Sequence, residues 1–254
     1  MSDFYVGYLP KAQPALARFV RRVVFGLGLL AMLIASILAG SQSRLTASYF
    51  EFGRARTFEG IVSAAPYPAL LVTRPGQPQA DSQFSSYLLV APGKHGAAQL
   101  MAGREGKKVR LDGQLIYRPQ ESQDGATMIE IVPGSIQELD IGAAPSADSV
   151  ALGRLTLSGE IADSKCFLGV MNPGRGKVHR DCAARCISGG APPIFISVAN
   201  GTQYLLLDQT GHALGRDVLR EFIAESITIS GEAQRQGDTL FLAIDPQTLR
   251  HANR

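Results

Sequence analysis

Three cysteines and a histidine share one short stretch, DSKCFLGVMNPGRGKVHRDCAARCISGG, residues 163–190. They are Cys166, Cys182, Cys186 and His179, and the chain has no other cysteine. The part KVHRDCAARCISGG reads as a short helix stopped by Gly189 and Gly190. At about 100° per residue, His179, Cys182 and Cys186 project from one face. Cys166 follows a strand, and GVMNPGRG supplies turn residues that fold it back onto that face. Three thiolates and an imidazole make a soft Cys3His set suited to Zn²⁺ in a closed tetrahedral site. Cu(I) accepts the same donors. The spacing Cys-x12-His-x2-Cys-x3-Cys is not a standard zinc-finger spacing, and it matches no common ferredoxin pattern.

A disulfide competes with that reading, and then no metal is needed. In an oxidising compartment three cysteines give one bridge and one spare thiol. Two cysteines four apart on a helix bridge poorly, so Cys166 would pair with Cys182 or Cys186. The spare thiol would sit among Lys177, His179, Arg180 and Arg185, charges that favour the thiolate. With His179 as base, nucleophilic or redox chemistry at a cysteine is a third reading. Asp163 reads as a turn carboxylate, with a hydrogen bond to His179 as the alternative. Met171 reads as a packing residue, with a soft ligand for copper as the alternative. GxSxG, the P-loop, HExxH and GxGxxG in a βαβ context are all absent, which argues against common hydrolases and nucleotide enzymes.

The elements that must position these residues come in two copies. TFEGIV (57–62) matches TLSGEI (156–161), and YLLVAPGKH (87–95) matches YLLLDQTGH (204–212). VRLDGQLIYR (109–118) matches ITISGEAQRQ (227–236), and GATMIEIVPGSIQEL (125–139) matches GDTLFLAIDPQTL (237–249). Each run is alternating or β-branched and bounded by turn residues, so each reads as a strand. LGRDVLREFIAES has Leu214, Val218, Phe222 and Ile223 at helical spacing, and GAAQLMAGRE is a shorter counterpart. Each copy thus reads strand, strand, strand, helix, strand, strand. That order resembles the OB-fold, a small five-stranded barrel. His95 and His212 take equivalent positions, which implies a shared turn before a shared ligand site. The second copy has about eighteen more residues between its first and third strands, and the Cys/His stretch fills them. In OB-folds the loop between strands one and two lies at the ligand-binding mouth.

The expected fold is therefore mainly β. Residues 56–139 form one OB-like domain, 140–153 a linker, and 154–250 a second domain with its insertion at 163–190. Ahead of them VVFGLGLLAMLIASILAG, from Val23 to Gly40, is uncharged and apolar all round, the makings of a transmembrane helix over 23–41. Lys11, Arg18, Arg21 and Arg22 precede it, which places residues 1–22 in the cytoplasm and the rest outside. A cleaved signal peptide is the alternative. The net charge of +3 and the lack of a basic, aromatic-studded face argue against nucleic-acid binding.

With its anchor and β-domains the chain resembles small bacterial inner-membrane proteins that carry one anchor and an exported, OB-like part. The resemblance implies an inner-membrane location with periplasmic barrels, and no activity. The expected function is an accessory or interaction subunit docked on a membrane complex, for instance a respiratory one, with the Cys/His insertion stapled by Zn²⁺ or a disulfide. A copper carrier or assembly factor and a thiol-dependent enzyme are the alternatives.

Overall fold

The computed structural model describes residues 12–42, 47–73, 84–119, 126–139 and 149–252. They divide into two compact units, Met1–Thr46 and Ala47–Arg254. In the first, Pro14–Gln42 is one continuous helix, α1, of 29 residues with none buried. It starts well ahead of the apolar run. Pro14 needs no amide partner at a first helical position, and the Ala, Leu and Arg residues after it favour helix. At 1.5 Å per residue α1 is about 44 Å long. It is long and apolar enough to cross a membrane. Most of the N-terminal tail, 1–11, lies outside the described residues.

The second unit holds two closed five-stranded barrels. The first is built from β1 Arg56–Ser63, β2 Ala69–Thr73, β3 Phe84–Ala91, β4 Lys108–Tyr117 and β5 Thr127–Ile131. The one-turn helix α2, Ala98–Met101, lies between β3 and β4. The second barrel is built from β6 Ser149–Asp163, β7 Pro193–Ser197, β8 Gln203–Asp208, β9 Ile227–Gln236 and β10 Thr239–Ile244. Helix α3, Arg180–Ser188, lies in the connection from β6 to β7, and α4, Arg216–Leu219, in that from β8 to β9. In both barrels the first strand pairs with the second, the second with the third and the fourth with the first, all antiparallel. The third pairs in parallel with the fifth, and the fifth returns antiparallel to the fourth.

Glycines let the strands bend far enough to close. Gly113 in β4 pairs with Arg56 of β1 and with Ile131 of β5, and Gly231 in β9 pairs with Leu155 of β6 and Ile244 of β10. A Cβ on Gly113 would sit 2.1 Å from Ile129 Cγ2, and one on Gly231 2.4 Å from the Ala243 carbonyl oxygen. Gly60 and Gly159 repeat the device on the first strand of each barrel, where a Cβ would meet Leu71 O at 2.5 Å and Ile196 O at 2.1 Å. Glycine inside a strand marks such close backbone approach at a barrel corner.

Two elements depart from the sequence expectation. Strand β6 begins at Ser149, so residues 149–153 of the expected linker are strand, paired with β9. The remainder of that linker, 140–148, lies outside the described residues. The helix expected over LGRDVLREFIAES is the single turn α4. The chain leaves it because Ile223 forms a bridge with Ile161 and Ala224 takes a positive φ of 59°. Leu214, Leu219 and Ile223 still reach the core, whereas Val218 stays exposed.

The two barrels share apolar packing. Leu88, Ile116 and Met128 of the first lie in one cluster with Ile194, Leu205 and Phe241 of the second. Tyr67, in the β1–β2 turn, crosses to the second barrel. Its hydroxyl donates to the Leu206 carbonyl and accepts from the Leu214 amide at 3.2 Å. Burial pushes the Tyr67 phenol well above its ordinary pKa.

The corner glycines give a direct stability test. Gly159→Ala should lower stability by more than about 2 kcal/mol, since its Cβ must displace backbone. Gly215→Ala, where nothing lies within 4 Å of the added carbon, should stay within about 0.5 kcal/mol of wild type. Denaturant midpoints at constant m-value check both.

Candidate metal centre between the barrels

The insertion occupies residues 164–192, between β6 and β7, where the first barrel has only 64–68. Its base is set by strand pairing, because Asp163 at the end of β6 faces Pro193 at the start of β7. From there Cys166–Val170 wind as one π-helical turn. The next turn folds back tightly over it: a Cβ on Gly174 would lie 2.5 Å from the Cys166 carbonyl oxygen. A 3-10 turn, Lys177–His179, then leads into α3. On α3, Ala183 and Ile187 enter the core of the second barrel. Cys182 and Cys186, one position earlier in each case, fall on the adjoining face with Cys166, Val170 and Ala191.

The four residues picked out from the sequence fall into two overlapping groups that share Cys166, with Asp163 joining the second. The Sγ of Cys166 lies 3.9 Å from that of Cys182 and 3.9 Å from that of Cys186. The three cysteines are free thiols. A tetrahedral site with metal–sulfur bonds of about 2.3 Å has edges of about 3.8 Å, so a metal fits these separations with little movement. Donor atoms of Cys166, His179 and Cys182 all lie within 4.8 Å of one another, and so do those of Asp163, Cys166 and Cys186. The cluster can hold a metal ion.

Asp163 is more than a turn carboxylate. It is fully buried. One oxygen accepts the Cys166 amide at 2.8 Å and the other meets His179 Nε2 at 3.0 Å. A buried carboxylate of this kind fixes the tautomer and ring orientation of a histidine. A hydrogen bond between the Cys166 and Cys186 sulfurs raises the pKa of Cys166, with burial adding to the rise, and lowers that of Cys186.

Two of the positive charges expected at the cysteines are engaged elsewhere. Lys177 and Arg180 turn away to Glu225, at 3.5 and 2.9 Å. Instead Lys94, in the turn after β3 of the first barrel, places its Nζ 2.6 Å from Cys182 Sγ and 3.8 Å from Cys186 Sγ. The hydrogen bond to Cys182 raises the pKa of Lys94. Beside Cys166, Lys165 is buried and paired with the buried Glu130 of β5 at 2.5 Å. Its Nζ also donates to the carbonyls of Ala91 and Gly93, at 2.8 and 2.6 Å. The amide of Gly96 donates to Gly189 O at 2.8 Å. Arg118 donates to Phe167 O at 2.9 Å and stacks on the Phe167 ring, 4.1 Å from its centre. The insertion is therefore clamped on the first barrel.

Sequence reasoning missed Lys94, Lys165 and Glu130. The signal for Lys94 was present in the repeat, since APGKHG carries a lysine that DQTGHA lacks. His95 and His212 do sit in equivalent turns: Ala91 pairs with His95, and the Asp208 amide bonds to His212 O. Both side chains are outside the cluster, His212 being 81% exposed. Met171 is exposed. Comparison with protein-family models, with curated proteins and with solved structures finds no match for this chain.

The buried ion pair makes a quantitative test. Lys165→Met leaves the Glu130 carboxylate buried without its partner and should cost about 3–5 kcal/mol. Lys165→Met combined with Glu130→Leu should recover most of that loss. A double-mutant cycle on denaturant unfolding reads the coupling.

Proposed function

We propose that this chain is a non-catalytic accessory protein of a membrane assembly, anchored by α1, with two OB-like barrels, the second carrying an insertion stapled by a Cys3His metal centre. One observation carries the reading. The cysteine cluster is lined by the π-helical turn, by α3, by the buried Asp163–His179 pair and by Lys94 of the other barrel, and of its three cysteines only Cys182 is partly exposed. A closed four-ligand arrangement suits a structural metal, whereas catalytic sites keep a position open. Cys166, Cys182, Cys186 and His179 Nδ1 would be the ligands, and Zn²⁺ matches the donors. The OB-like assignment rests on strand order, with the parallel pairing of third and fifth strands in both barrels. Anchoring rests on the length and composition of α1. The arginines at its start favour a cytoplasmic N-terminus and periplasmic barrels. The metal would supply stability that a long insertion with a small core lacks.

A metal carrier, Cu(I) being the cargo, is the second reading. It draws on the partial exposure of Cys182, the least buried of the three cysteines, because transfer needs a ligand within reach of an acceptor.

Thermal unfolding of the metal-loaded full chain, with and without chelator, separates the two readings. A staple predicts slow metal loss, over hours, and a midpoint several degrees lower once the metal is gone. Transfer to a chelator within seconds and an unchanged midpoint would favour the carrier and contradict the staple.

A further inference from the structure

We propose that Lys94 is a positioning residue of the metal centre. Its ammonium, carried by the first barrel, donates to the metal-bound sulfur of Cys182 and shields it, so that metal binding and docking of the two barrels reinforce each other. This inference rests on the metal reading above.

The turn that carries Lys94 is held against the insertion by other contacts besides the one to sulfur. Lys165 Nζ grips the carbonyls of Ala91 and Gly93 on the near side of Lys94. On the far side the Gly96 amide bonds to Gly189 O. The two backbones touch here, and only glycine fits: a Cβ on Gly96 would lie 2.1 Å from Gly190 O, and one on Gly189 1.7 Å from Lys94 O. The equivalent turn of the second barrel, Asp208 to His212, has neither a lysine nor a neighbour of this kind, and its His212 is exposed. The lysine thus belongs to one turn, at the one place where that turn faces three sulfurs.

The chemistry explains why an ammonium stands there. Three thiolates around a dication leave a net charge of −1. A cation hydrogen-bonded to one sulfur offsets that charge and withdraws electron density from it, which lowers its nucleophilicity. The sulfur chosen is that of Cys182, the cysteine with some exposure, while Cys166 and Cys186 are protected by burial. Charge and shielding are therefore supplied to the ligand that needs them. Because the donor comes from the other barrel, the centre is complete only when the barrels are docked.

The test uses the full chain in detergent, with Co²⁺ as optical probe and Zn²⁺ for the other readouts. Wild type should take up one Co²⁺ with tetrahedral thiolate bands. Lys94→Met and Lys94→Gln should give the same bands, because no ligand is lost. Their Zn²⁺ affinity, measured by chelator competition, should fall about 10- to 100-fold. Iodoacetamide should alkylate Cys182 of the Zn²⁺-loaded variants at least about tenfold faster than wild type. Exchange of the Gly96 amide should speed up in the variants, and also in wild type on metal removal. Lys94→Arg should restore most of the affinity. Variants that match wild type in affinity, alkylation and Gly96 exchange would overturn the role of Lys94 while leaving the metal centre standing. Absence of Co²⁺ uptake by wild type would instead remove the metal reading, and this inference with it.

Discussion

The fixed point of the structure is the carboxylate of Asp163. It stands at the last paired position of β6, opposite Pro193, so the barrel itself sets its place. It is fully buried. A charge there is tolerable only if hydrogen bonds surround it. It has two: the Cys166 amide starts the insertion, and His179 Nε2 holds the point where the insertion turns into α3. A single side chain thus joins both arms of the loop.

A second constraint works from outside the insertion. The first barrel grips it through a buried ion pair, two backbone carbonyls, a glycine-to-glycine contact and an arginine stacked on Phe167. Most of these contacts are polar, and they are directional. Apolar packing between the barrels supplies adhesion, while the polar contacts set the register that puts Lys94 at the sulfurs. The two barrels share one strand order and differ in two connections, which meet at their interface. One barrel lengthened its first connection, and the other placed a lysine in the turn that receives it.

Much of this was legible in the chain. Alternating and β-branched runs located the strands, because a strand buried on one face must alternate. The repeat placed the insertion between the first two strands of the second copy, where the structure has it. Cys166, His179, Cys182 and Cys186 were identified together because soft donors at helical spacing are rare by chance. The local turn chemistry held as well: α3 stops at Gly189, and the Pro/Gly-rich segment folds back over Cys166. What was not legible depends on tertiary contact. The periodicity of Leu214 to Ile223 suggested a longer helix, but the bridge from Ile223 to Ile161 shortened it. The burial of Lys165 leaves no local signal, because its partner Glu130 lies far along the chain. Arg180 and Lys177 looked like neighbours of the thiols until Glu225 claimed them. Charge pairing at long range leaves no periodic trace in sequence.

The central claim is that Cys166, Cys182, Cys186 and His179 together bind one metal ion. X-ray absorption at the metal edge, on the full chain purified without chelator from an oxidising compartment, tests it most directly. The account predicts about one metal per chain with about three sulfurs near 2.3 Å and one nitrogen near 2.0 Å. A protein without metal, holding one disulfide and a single titratable thiol, would contradict it.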